Sequence, residues 1–211
     1  MKTDELIDHI AVLPMPRLSP RASLVRGLLI GLMASTVIML FWLRLRPDLE
    51  SAMLTAAFWV KLAYAAAVAA LVFPVTLVLS RPTGAANGRF WLPGFPFVLL
   101  AGLAFLQLGS ASPAERVHLL FGHSAQVCSL YIALLSVPVL AGLLVSFRGL
   151  APTRPIAAGL SAGFLAGALG TLVYAFHCDE SAAPFVAVWY TVGMAVVGAM
   201  GGLLGRALLR W

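Results

Sequence analysis

An all-α, polytopic membrane protein, with a six-helix transmembrane bundle behind a short N-terminal tail, is the fold that three observations in the sequence predict. Of the 211 residues 61% are hydrophobic and only 10% charged, too little polar surface for a domain of this size to show to water, and the mean hydropathy is +0.97. The apolar residues gather into six runs, 25–45, 54–80, 92–110, 126–147, 156–176 and 184–208, each near the roughly 20 residues a spanning helix requires. The Lys and Arg residues outside these runs divide unevenly between alternate connections, as the positive-inside rule expects of a multi-pass chain.

The tail comes first, and the expected boundary divides a segment 1–24 from a six-helix unit 25–211. Thr3 can cap a short helix with Asp4 and Glu5 in its first turn, near the positive end of the helix dipole. Leu6, Ile10 and Leu13 then fall on one face with Ile7 beside them. Pro14, Pro16 and Pro20 end that helix and make LPMPRLSPR a stiff, extended spacer. Isolated helices below about 12–15 residues are marginal in water, so the stripe needs something to cover it. Its polar face is acidic, whereas helices lying on lipid usually carry basic faces, and a partner protein gripping Leu6, Ile7, Ile10 and Leu13 is the sharper expectation. The opening acids and prolines, and the lack of an A-x-A site after the first apolar run, do not read as a cleaved signal peptide.

The runs follow in order. The first ends in FWLRLRP; the second contains Lys61 and Pro74, and the fourth Pro138, prolines that kink a spanning helix without having to end it. The third begins WLPGFPF, which is compatible with a helix if Pro93 and Pro96 stand in its first turn or before it. The fifth and sixth carry Gly159, Gly163, Gly167 and Gly170, then Gly198, Gly201, Gly202 and Gly205. Four-residue spacing sets several of these on one face, the pattern of close helix packing. A small-molecule transporter or channel subunit is the rival reading of the same glycines, and an ionisable residue in mid-membrane would be its companion. Lys61 is the candidate, and it is expected instead to snorkel to the nearby surface or to pair with Asp48 or Glu50.

Ten Lys and Arg residues flank one side: Lys2, Arg17, Arg21 and Arg26, then Arg81 and Arg89, Arg148 and Arg154, Arg206 and Arg210. The other side has three, Arg44, Arg46 and Arg116, so both termini are predicted to be cytoplasmic. The net charge of +6 forms no basic stripe, which points to anionic membrane lipid and away from direct nucleic-acid binding. This topology puts HCDES, at 177–181, in a tight outer loop and SASPAERVHLLFGHSAQVC in the outer loop before it. In a bacterial inner membrane both cysteines then face the periplasm, where thiols can be oxidised.

Cys128 starts the fourth run and Cys178 follows the fifth. With the two runs antiparallel, about 19 and 22 residue steps at about 1.5 Å each leave the sulfurs differing in height by about 5 Å. A disulfide is feasible if the Cα atoms come within about 7 Å, and a soft-metal site with His123 or His177 equally so. Beside these stands the packing reading, with each Cys a small buried hydrophobe and each His an interfacial hydrogen-bonding side chain. No nucleophile elbow, phosphate loop, HExxH or CxxC is present, so neither enzyme activity nor a resident cofactor is expected, only transient heavy-metal binding at Cys128 and Cys178.

The pieces MKTDELIDHIA, LRPDL at 45–49, FWVKLAY at 58–64, GHSAQVC at 122–128, APTRP at 151–155 and HCDESAAPFVAVWY at 177–190, in that order, resemble the NrsF-type membrane anti-sigma factors. The likeness runs end to end and departs at Ala125 and Gln126, where a bulkier apolar pair is expected. It implies that the cytoplasmic tail contacts an extracytoplasmic-function sigma factor at the inner membrane. It also implies that Cys128 and Cys178 take part in sensing stress such as heavy metals or oxidants.

Overall fold

The computed structural model describes residues 19–82 and 91–209; the tail helix and its stripe Leu6, Ile7, Ile10 and Leu13 lie outside them. Among the described residues all regular structure is helical, in eight helices. These are α1, Pro20–Ile38 continued by a π-helical turn Met39–Leu43; α2, Leu49–Met53; α3, Ala56–Leu79; and α4, Phe95–Ser110, after a 3₁₀ turn Leu92–Gly94. Then come α5, Pro113–Phe121; α6, Ala125–Arg148; α7, Pro155–Tyr174; and α8, Ala183–Leu208, with a π-helical stretch Val186–Tyr190 inside it. Six of the eight, α1, α3, α4, α6, α7 and α8, are long and apolar enough to cross a membrane.

The first span starts at Pro20, where the sequence suggested 25. Ser19 is its N-cap, with Oγ accepting from Ala22 N at 3.2 Å, and Pro20 takes the first helical position, where a missing N–H costs nothing. The proline expected in the spacer therefore begins the helix. Pro74 and Pro138 sit within unbroken helices, and Pro96 stands in the first turn of α4. A stretch expected to be loop forms α5: Ser112 N donates to Glu115 Oε2 at 2.8 Å, Pro113 follows the cap, and Arg116 Nε reaches back to the carbonyls of Leu108 and Ala111 at the end of α4. Ser-Pro-x-Glu is a capping-box start that the sequence displays.

At the centre is α7, with 14 of its 20 residues buried, flanked by α3, α6 and α8, while α1 packs on α6. Small residues set the α7–α8 distance. A Cβ on Gly163 would lie 2.8 Å from Gly198 Cα, and one on Gly205 would lie 2.9 Å from Gly159 Cα. Gly27 and Gly142 meet backbone to backbone where α1 crosses α6. The glycines thus act as a packing seam.

The bundle has two distinct ends. At one, Ser146 Oγ donates to Ser23 O and Thr153 Oγ1 to Pro82 O, both at 3.0 Å, near where α1 begins. At the other, residues 44–55, 111–124 and 175–182 gather around the cysteines.

Candidate functional site

Cys178 lies in the turn that ends α7, its N–H donating to Tyr174 O at 3.0 Å, and Cys128 in the first turn of α6, its N–H donating to Ser124 O at 2.9 Å. Both thiols are free and buried, Cys128 fully and Cys178 to within 3%. They are close enough to perturb each other's ionisation. Around them pack Tyr174 and Tyr190, whose ring centroids are 6.0 Å apart. The Tyr190 hydroxyl is buried against the Cys178 thiol without a hydrogen bond of good geometry. A π-helical stretch adds a residue to the turn, changing the direction of the side chains that follow, and Tyr190 closes the one in α8.

The histidines do not join the thiols. The His177 ring turns to α1, with Nδ1 donating to Arg44 O at 2.9 Å, and its face lies toward Tyr131 and Tyr174. His123 is exposed, its ring against that of His118 at 5.1 Å, and its backbone N–H donates to Glu180 Oε1 at 2.6 Å. Among the described residues no three His, Cys, Asp or Glu side chains are gathered as a metal-binding set. The structure brings Cys128 and Cys178 together and leaves His123 and His177 outside that pair.

Two cations complete the site. Lys61, 1% exposed, donates from Nζ to the carbonyls of Cys178 at 2.8 Å and Glu180 at 2.9 Å, and stands 6.0 Å from the centroid of Tyr190. It neither snorkels nor meets Asp48 or Glu50, because it faces inward, where the backbone beyond α7 offers acceptors that an apolar bundle otherwise lacks. A small cavity of about 240 Å³ lies beside it, lined by Gln107 and Ser181 among apolar side chains. Arg46, 7% exposed, donates from Nη1 to the same Cys178 carbonyl at 3.1 Å. Its Nε and Nη2 grip Asp48 bidentately, both at 2.7 Å. That pairing holds the exposed Asp48 carboxyl below the usual carboxylate range.

The balance of charge differs from what the neighbouring acids suggest. Asp179 and Glu180 argue for a raised Cys178 thiol, yet Glu180 turns its carboxylate to His123 N. The neighbouring Cys128 thiol, and next the Lys61 ammonium, hold the Cys178 thiol below the ordinary thiol range against the opposing effect of burial. A buried dithiol whose outer member favours the thiolate can be oxidised to a disulfide or can ligate a soft metal ion. Lys61 carried a legible signal, as a lone charge inside an apolar run; Arg46 and Tyr190 carried none beyond their place in the quoted motifs, and Tyr174 carried none.

The family described as "Negative regulator of sigma F", NrsF, matches residues 11–211. A "Probable anti-sigma-F factor NrsF" from Azospira oryzae is 43% identical over the whole of both chains. The "Anti-sigma-F factor NrsF" of Caulobacter vibrioides is 38% identical, again over the whole of both. No solved structure matches the chain.

Proposed function

The chain belongs to the NrsF family of negative regulators of sigma F, and on that premise we propose that it is an inner-membrane anti-sigma factor that holds an extracytoplasmic-function sigma factor through residues 1–24. Both termini are cytoplasmic and Cys128 and Cys178 lie at the periplasmic end. In the resting state Leu6, Ile7, Ile10 and Leu13 mask a surface of the sigma factor. Modification of the two thiols changes helix packing, and the tail lets go.

What supports this reading is the pairing of two free, buried thiols at the end of the bundle opposite the start of α1. With hydrogen peroxide the two thiols give up two protons and two electrons to form the S–S bond, and the peroxide leaves as two waters. With a soft metal ion, both thiols lose their protons and ligate it. A shift from mostly held to mostly free requires about 5.5 kcal/mol of differential stability between the two packings. A disulfide contributes about 2–4 kcal/mol, and thiolate ligation of a metal can contribute more. Against the rival transporter reading stand the two carbonyls that occupy Lys61 and the closure of Gly159, Gly163, Gly201 and Gly205 against backbone.

The test is Cys128→Ser and Cys178→Ser, singly and combined, with sigma-dependent transcription measured before and after hydrogen peroxide or Cd²⁺. Loss of induction in each variant is expected. Induction equal to the parent in all three would make the cysteines packing residues and remove the sensor reading.

A further inference from the structure

Two quoted motifs, LRPDL and FWVKLAY, have no role in the mechanism so far, yet each sends one cation to the same atom, the carbonyl oxygen of Cys178. Arg46 belongs to the segment that leaves α1, and α1 is the helix whose other end continues into the tail. Three hydrogen bonds tie that segment to the residues around Cys178. Arg46 N donates to Phe176 O at 3.1 Å, Arg46 Nη1 to Cys178 O at 3.1 Å, and His177 Nδ1 to Arg44 O at 2.9 Å.

The tied segment is held in an unrelaxed form. Met39–Leu43 is wound as a π-helix, closed by Arg44 N to Met39 O at 2.8 Å. Arg44 follows with φ +65°, a backbone region that residues other than glycine rarely adopt and that costs on the order of 1–3 kcal/mol where it persists. Such strain survives only where surrounding contacts hold it, and here the contacts are those made to 176–178.

We propose that Arg46 is the positioning residue that couples Cys178 to α1: its guanidinium, aimed by Asp48, pins the strained outer end of α1 to the Cys178 carbonyl, and the pin is lost when Cys178 is modified. A new bond at Sγ of Cys178 turns its side chain and displaces the backbone to which the carbonyl belongs. Freed of Arg46, residues 39–44 relax toward ordinary α-helix, and α1 shifts along its contact with α6, carrying the tail. Lys61, from α3, also donates to the Glu180 carbonyl at 2.9 Å, so the loop stays attached to the bundle while α1 moves.

This inference rests on the sensor reading above, and its experiment separates the two. Arg46→Met keeps an apolar stem of similar length without the donor, and Asp48→Asn removes only the carboxylate that orients Arg46. In cells, sigma-dependent transcription and alkylation of Cys128 and Cys178 are measured with and without hydrogen peroxide, and the amount of each variant in the membrane is recorded. Loss of one charge-assisted hydrogen bond should raise signal-free transcription by about tenfold or more in Arg46→Met, and less in Asp48→Asn. The thiols should still be consumed by peroxide as in the parent, with transcription no longer following. A merely structural Arg46 would lower the protein level and leave the induction ratio of the remainder intact. That outcome, or a parental ratio in Asp48→Asn should Arg46→Met fail to accumulate, overturns the coupling role while leaving the sensor reading in place. Peroxide induction that persists in the Cys→Ser variants removes the sensor reading, whatever Arg46 does.

Discussion

Gly163→Ala adds one methyl group at a confined point of the α7–α8 seam. The new Cβ would lie 2.8 Å from Gly198 Cα and 3.0 Å from Val197 C, and it meets the Val197 carbonyl oxygen as well. All of these are backbone atoms of α8, so no side chain can rotate away, and the helices must part by about an ångström to restore ordinary contact. Overpacking of this kind costs about 1–3 kcal/mol, offset in part by the roughly 0.5–1 kcal/mol that alanine gains over glycine in a helix. Gly102, in α4, is the control: nothing lies within 4 Å of its Cβ position, so Gly102→Ala should be neutral or stabilising by that same amount. The assay is unfolding of the purified protein in mild detergent by titration with a denaturing one, followed by circular dichroism. A destabilised Gly163→Ala beside an unharmed Gly102→Ala is expected. Equal stability of the two variants would refute the seam and reopen the glycines to a transport pathway.

Two further outcomes are expected. Reporter fusions after Arg89, Arg148 and Trp211 should behave as cytoplasmic and those after Ala114 and Ser181 as periplasmic, given the ten-to-three division of Lys and Arg; reversal of both sets would invert the sensor. Leu6→Asp combined with Ile10→Asp should abolish capture of the sigma factor by detergent-solubilised protein while leaving the helical signal unchanged, and undiminished capture would exclude the proposed tail contact.

The sequence by itself determined six spans, their order, which connections share an end of the bundle, and the nearness of Cys128 to Cys178. Each is a statement about distance along a helix axis, and run length, alternation and a rise of about 1.5 Å per residue suffice for it. The glycine seam was legible too, because small residues at four-residue spacing mark a face whatever its partner. The tertiary structure alone decided rotation about those axes. In a soluble helix an apolar stripe tells which face turns inward, but spans bounded by lipid are apolar all round, and that signal vanishes. Hence Lys61 was expected at the surface or beside Asp48 and was found under the Cys178 carbonyl. Asp48 holds Arg46, and His177 reaches α1, away from the thiols. Nor could the π-helical turns be read from pattern, since such a turn depends on what α1 and α8 must reach at their ends. The cations converge on HCDES because the carbonyls beyond the end of α7 have no helical partners and offer buried charges acceptors that an apolar bundle otherwise lacks, a pairing that exists only once the helices are packed.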